Sequence, residues 1–552
     1  MKKYTYIFWA LLPLIGGCDS FLDREYDSFI SKERTYESYQ WTSNTLTNAY
    51  HYLPSGLNRI WPDMLDAATD DAENAVMTSS IQKFNTGSWN AVDNPDDIWN
   101  QLYAGIRQCN EFIENVHNVN LERYRLDPDN QPEYENRVKD LDIWQHEAIF
   151  LRAFLHFELV KRYGPVPYLE SVLPVTGDYS GVSRPGMDEV IGKIVADCDA
   201  AAEVLELTPW RDKASSYGRA TKGAALALKS RVLLYAASPL YLDWQDLDET
   251  SLPSNPAKWR SAADAAKAVI DLGFYSLYDD YAALFRNNID NNELIFQRRL
   301  GNSVDFEKVN SPVSYGGTGG TAPTLNLMEA YEMSDGTPFS FEERKDNPFA
   351  GRDSRFYASF VLNGDKWKDA IVETYEGGKD ALPNLNATRT GFYLRKYMNE
   401  SANVQTGGAE SGHVWPYFRY AEICLNYAEA LNECDPGNSE VSYYLDMVRQ
   451  RAGQPKVPEG LSQDEMREKI RRERRVELAF EEHRGWDVRR WKIAGETLGA
   501  PVRGIVMTRK GSGYSYSAKI VEERSFEPKM YWYPIPQSEI LQTGWEQNPQ
   551  WN

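Results

Sequence analysis

The chain has 552 residues, 42% of them hydrophobic, which is enough for a large core, and a formal net charge of −21. That acidity excludes a nucleic-acid binder and opposes docking on an anionic membrane through charge, while it keeps a surface protein soluble.

The first residues set the compartment. Lys2 and Lys3 precede an apolar run from Tyr4 to Ile15, which meets Gly16 and Gly17 just before Cys18. This order is that of a secretory leader with a lipoprotein cleavage box, and the run falls short of the about 20 apolar residues that a spanning helix needs. Residues 1–17 are predicted to be removed, leaving Cys18 as an acylated first residue and 18–552 as one domain. Several acyl chains make such an anchor permanent, where one gives only marginal attachment.

An irregular stretch at about 53–95 follows, holding Trp61, Asp70, Asp71, Glu73 and Trp89. Trp99 and Tyr103, four apart beside Ile98 and Ile106, read as helix core. In 140–164, Trp144, Ala148, Leu151, Leu155 and Leu159 recur at three- and four-residue steps, and Gly164, Pro165 and Pro167 end the helix. A second long helix is predicted over Arg219–Ala237. Its partner has Asn255 as N-cap and Pro256 at the first position, carries an alanine-rich run from Ala262 to Ala268, and stops at Gly273.

Between about 274 and 415 helical periodicity nearly vanishes, and Gly316, Gly317, Gly319 and Gly320 cluster among aromatics such as Tyr315, Trp367 and Trp415. Helical pattern returns as a hairpin, Tyr417–Glu433 and Ser439–Ala452, joined by Asp435, Pro436 and Gly437. Ser462 and Glu465 then form a capping box, with Leu461 and Met466 as its staple. The charged run Arg471–Glu477 follows, where Glu465 with Lys469 and Glu468 with Arg472 are spaced as i, i+4 pairs. A salt-bridge network is the expected role of the Arg471–Arg475 cluster. The fold class expected is mostly α: tetratricopeptide-like stacked helical hairpins, scaffold at about 35–273 and 416–495, with irregular insertions at about 53–95 and 274–415 as the ligand face.

Cys109, Cys198, Cys424 and Cys434 show no CxxC and no metal spacing, and read as structural thiols. No catalytic constellation is found. His146 and Glu147 lack a second histidine at position 150, which is Phe, and the glycines at 316–320 lack the lysine of a phosphate loop. No enzyme activity, cofactor or metal is expected. Saccharide recognition needs aromatic faces against sugar C–H groups, and amides or carboxylates for the hydroxyls. Trp89 and Asn90, with Asp71 nearby, have those types, and Gly87 and Ser88 place Trp89 in a loop.

Several separated motifs together resemble the SusD/RagB family of outer-membrane nutrient-binding lipoproteins of Bacteroidota. They are Cys18–Asp23, Glu147–His156 running on to Arg162–Pro167, Arg219–Ala224, Phe418–Ile423 with Asn426–Ala430, Arg471–Arg475 with Glu477–Phe480 and Trp486–Trp491, and Tyr533–Pro536. The resemblance implies a surface glycan-binding protein, lipid-anchored in the outer membrane, that delivers its ligand to a SusC-like TonB-dependent transporter; peptide capture by the same system is the alternative, ahead of a glycoside hydrolase. Carried over residue by residue, it favours Asp71, Trp89, Asn90 and Tyr315 as ligand contacts. Family members often place an arginine in the first segment, yet between Arg59 and Arg107 the only basic residue here is Lys83.

Overall fold

The computed structural model describes residues 30–174, 176–209, 217–286, 291–402, 404 and 408–551. The predicted leader and Cys18 lie outside the described residues. The principal helices, in chain order, are α1 (Tyr39–Ala49), α2 (Trp99–Asn115), α3 (Gln131–Tyr163), α4 (Met187–Val204), α5 (Lys222–Ala237), α6 (Pro256–Ile270), α7 (Tyr420–Cys434), α8 (Ser439–Arg451), α9 (Gln463–Glu477), α10 (Arg484–Arg490) and α11 (Gln537–Thr543). From α2 to α8 each helix packs against the next in order, which is the nearest-neighbour logic of stacked hairpins. None of the described helices is long and apolar enough to cross a membrane.

Local chemistry explains the helix ends. Asn255 accepts hydrogen bonds from the backbone of Ala257 and Lys258 at the start of α6, and Pro256 needs no donor there. Gly164 closes α3 at φ +71°, a conformation open to glycine. The Ser462–Glu465 capping box forms as the sequence predicts. Ala262, Ala263 and Ala266 are buried on α6, and their small size lets it lie close to both α5 and α7.

The contact between α6 and α7 spans an excursion of about 150 residues that leaves the helical stack and returns to it. Where periodicity fails, the structure places strands. The long strand β2 (Leu294–Ser303) pairs antiparallel with β4 (Ser411–Arg419), from Leu294 opposite Arg419 to Ser303 opposite Ser411. Tyr417 to Arg419, expected at a helix start, end β4 instead: Trp415, Tyr417 and Phe418 suit a buried strand, and α7 begins at Tyr420. Two short strands, β1 (Ala72–Asn74) and β3 (Thr321–Pro323), form a second antiparallel pair. Near the C-terminus β5 (Val502–Lys510) and β6 (Gly513–Glu522) make a hairpin.

Buried ion pairs knit the excursion to the C-terminal helices. Arg419, at the join of β4 and α7, contacts Glu293 at 2.7 Å, Glu477 at 2.6 Å and Glu481 at 2.7 Å. Arg355 reaches Glu477 at 2.8 Å, and Arg449 joins Glu473 at 3.0 Å to Glu332 at 2.9 Å. The cluster on α9 does form a network, but not through the expected i, i+4 pairs. Lys469 turns to Glu332 at 2.9 Å, because a long-range carboxylate already desolvated offers more than an exposed neighbour, and Glu468 pairs at i, i+3 with Arg471 at 3.4 Å. All four described cysteines are free thiols; Cys424 and Cys434 share α7, too far apart along it to bridge.

Candidate functional site

The antiparallel pairing of β1 with β3, Glu73 opposite Ala322, brings together the two irregular stretches that lie far apart in sequence. Ala75 continues that contact by donating its N–H to Gly320 O at 3.0 Å. Just upstream, a single 3-10 turn (Val313–Tyr315) presents Tyr315, and a glycine ribbon carries the chain from it into β3. The ribbon needs glycine: Gly316 and Gly319 have φ of +85° and +70°, and a Cβ on Gly317 would sit 1.9 Å from Ser311 O.

A compact loop at 373–381 closes over this turn. Asp380 accepts the Ser314 N–H at 3.0 Å and the Glu373 N–H at 3.0 Å, so one carboxylate holds both segments. The Lys379 ammonium lies 5.8 Å from the Tyr315 ring centroid. Tyr315 is half-buried, and burial raises its hydroxyl pKa against the opposing pull of the Ala370 backbone. One part of its ring therefore stays open while its hydroxyl is buried. The surrounding loops expose Met77, Ile371, Leu382 and Leu385, the last 85% accessible, together with Lys379, Asp369 and Asn384. Aromatic and aliphatic surface interleaved with charged and amide groups, on loops braced by a rigid scaffold, can hold a polyhydroxylated ligand.

Of the four residues expected at a ligand, only Tyr315 belongs to this face. Asp71 is fully buried and accepts Arg475 Nε at 2.7 Å, while Arg475 and Arg484 also bind Asp70. Burial alone would raise both carboxyls. At Asp70 the two guanidinium groups outweigh it and hold the pKa well below the usual range; at Asp71 burial prevails. Trp89 is 2% exposed and wedged among Phe84, Tyr533 and Trp551 at centroid distances of 5.0, 5.1 and 4.8 Å. Gly87, at φ +70°, ends the short helix Gln82–Thr86 and turns the chain inward, so the loop position does not mean exposure. Asn90 is exposed but caps its own turn, its Oδ1 accepting from Val92 and Asp93, beside Gln537 at the start of α11. Lys83, the basic residue noted in that segment, pairs with Asp93 at 2.6 Å. Lys379 and Asp380 escaped sequence reasoning, since nothing local links them to Tyr315. Among the described residues no cluster of three or more His, Cys, Asp or Glu could hold a metal ion.

Comparison with known proteins agrees with this architecture along nearly the whole chain. Residues 283–551 match the SusD family, and residues 20–234 match the family described as starch-binding, associating with outer membrane. The chain is 26% identical over 523 residues to SusD-like protein P2 of Formosa agariphila, covering 90% of this chain and 92% of that protein. Among solved structures it is similar to a SusD-like protein of Bacteroides fragilis, with TM-score 0.78, 28% identity and coverage of 93% and 97% of the two chains. A SusD-like carbohydrate binding protein of the same species gives TM-score 0.74 at 26% identity, over 92% and 99%. With two family matches that divide the sequence between them and neighbours that share its helical stack, the chain belongs to the SusD/RagB family.

Proposed function

We propose that this protein captures glycans at the cell surface on the face built around Tyr315, held to the outer membrane by lipid on Cys18, and hands them to a TonB-dependent transporter without cleaving them. The observation that carries this reading is the match of residues 20–234 to a family described as starch-binding and outer-membrane-associated. The solved relative described as carbohydrate binding supports it. The geometry is compatible: the open part of the Tyr315 ring offers a stacking surface, and Lys379, Asp369 and Asn384 supply donors and acceptors for hydroxyls.

Isothermal titration of the mature protein against a panel of neutral and acidic polysaccharides tests the reading. At least one should bind, Tyr315→Ala should weaken it about tenfold, equivalent to ~1.4 kcal/mol, and the bound polymer should keep its length. Silence across the panel with folded protein would sink the proposal, and shortened products would overturn its non-catalytic part. Cys18→Ala should move the protein from the membrane fraction to the soluble one, and co-purification of an outer-membrane barrel with the wild type alone would support the delivery step.

A further inference from the structure

A second concavity lies on the helical scaffold and shares no residue with the Tyr315 face. It has a volume of about 460 Å³, between the first turns of α2, the segment that follows α3, and α11 with the chain just beyond it. Its walls are aromatic. Trp99 and Tyr103, one turn apart on α2, stand 4.9 Å apart at their centroids, and Trp545 faces Trp99 at 6.4 Å with ring planes at 65°. The pocket is built rather than accidental. The Tyr103 hydroxyl donates to Pro167 O at 3.2 Å, Asn110 Nδ2 donates to Leu169 O at 2.8 Å, and Arg107 donates to Leu173 O, so α2 fixes the backbone of the opposite wall. The Trp545 indole N–H is anchored on Val182 O at 2.6 Å, which leaves the ring as a fixed plate.

The polar groups decide the ligand class. Asn100 and Gln542 stand exposed on opposite lips, and among the described residues neither side-chain amide has a hydrogen-bond partner. Glu539 is half-buried beside the Trp99 side chain; burial raises its carboxyl pKa, and the hydrogen bond from Trp99 opposes the shift. A phosphate or sulfate group is not favoured, because the Arg107 charge, already turned to Leu173 O, is the one basic group among the described lining residues and is offset by the Glu539 carboxyl. An acyl chain would leave the Glu539 carboxyl against hydrocarbon, which is costly. Ring walls, two free amides and one carboxyl match a ligand with apolar C–H faces and a rim of hydroxyls, and the volume lies in the range of small-molecule sites. We infer that this pocket is a second saccharide-binding site, taking a short neutral oligosaccharide or a chain end against the partly exposed rings of Tyr103 and Trp545, with the buried Trp99 ring as their backing.

The test uses crystals of the full mature chain soaked with maltose, cellobiose and lactose, alongside titration of the same sugars in solution. The wild type should show sugar density against the Tyr103 and Trp545 rings, with hydroxyls on Asn100, Gln542 or Glu539. The Asn100→Ala/Gln542→Ala double variant, altered only at exposed positions and checked for folding by circular dichroism, should lose that density and bind at least tenfold more weakly at this site. Absence of density in the wild-type pocket with all three sugars overturns the inference, as does undiminished occupancy in the double variant.

Discussion

Asp71 and Trp89 have the chemistry of ligand contacts and the positions of core residues, because their partners come from the far end of the chain. Arg475 holds Asp71, and Trp551 and Tyr533 cover Trp89. The ion pair makes a direct prediction. Arg475→Met should destabilise the fold by ~3–5 kcal/mol, since it strands a fully buried carboxylate, while Arg475→Met combined with Asp71→Leu should recover much of that loss. Urea unfolding of the three proteins measures it, and a single-variant loss below about 1 kcal/mol would contradict the buried pairing. His156 supplies a pH counterpart. Its Nδ1 faces Arg152 O at 2.8 Å and its Nε2 accepts the Leu169 N–H at 3.0 Å, and burial lowers its pKa to about 3. The folded state therefore refuses a proton that the unfolded state accepts below about 6.5. The stability this contributes is complete above that pH and is lost progressively as pH falls toward 3, by about 2 kcal/mol at pH 5. Histidine-labelled NMR should find the His156 ring neutral at pH 5; a titration midpoint near 6.5 would refute it.

The helices were legible in the sequence because each carries its own signals. Asn255 before Pro256, Ser462 with Glu465, and the alanine run on α6 all act within a few residues, and the structure uses each one as read. Ser462→Ala should accordingly cost ~1 kcal/mol in unfolding free energy, with no change in glycan binding, because α9 starts away from the Tyr315 turn. The strands were hidden for the opposite reason: β2 and β4 are completed only by each other, across more than a hundred residues, and β4, buried on both faces, shows no simple alternation, while β2 is fully buried only over Leu294–Gln297. The same holds for the face around Tyr315. Its glycine ribbon was visible as composition, but the carboxylate of Asp380 that secures the turn could be assigned only once the loop was folded over it. Gly317→Ala checks that role. Driving a Cβ against Ser311 O should displace the turn and weaken glycan binding at least as much as Tyr315→Ala, while the helical far-ultraviolet signal persists.

At the scale of the whole molecule, the excursion between α6 and α7 has to be locked to the stack it leaves, and Arg419 sits where that lock is needed. Its guanidinium is buried and gathers Glu293 from the entrance to β2 with Glu477 and Glu481 from the end of α9 and just beyond. Burial alone would raise the Glu477 and Glu481 carboxyls, but the arginines hold Glu477 well below its usual value and Glu481 also below it. Depressed carboxylates give stability that is present above about pH 4.5 and lost as pH falls through the folded values. Arg419→Met removes the compensation and keeps the desolvation, so Glu481 loses its main counter-charge apart from Lys396 at 2.7 Å, and its pKa should rise above the unfolded one. The sign of the pH dependence then reverses at that site: the variant's folded state, not its unfolded state, gains the extra proton on acidification. The variant should be less stable than wild type by ~3–5 kcal/mol at pH 7, and the gap should narrow between pH 7 and 5 as the stranded carboxyl protonates. Chemical denaturation at the two pH values decides it. A deficit that stays constant or widens on acidification would mean that the carboxylates find other partners once Arg419 is gone, and that the excursion is held to the stack by packing rather than by charge.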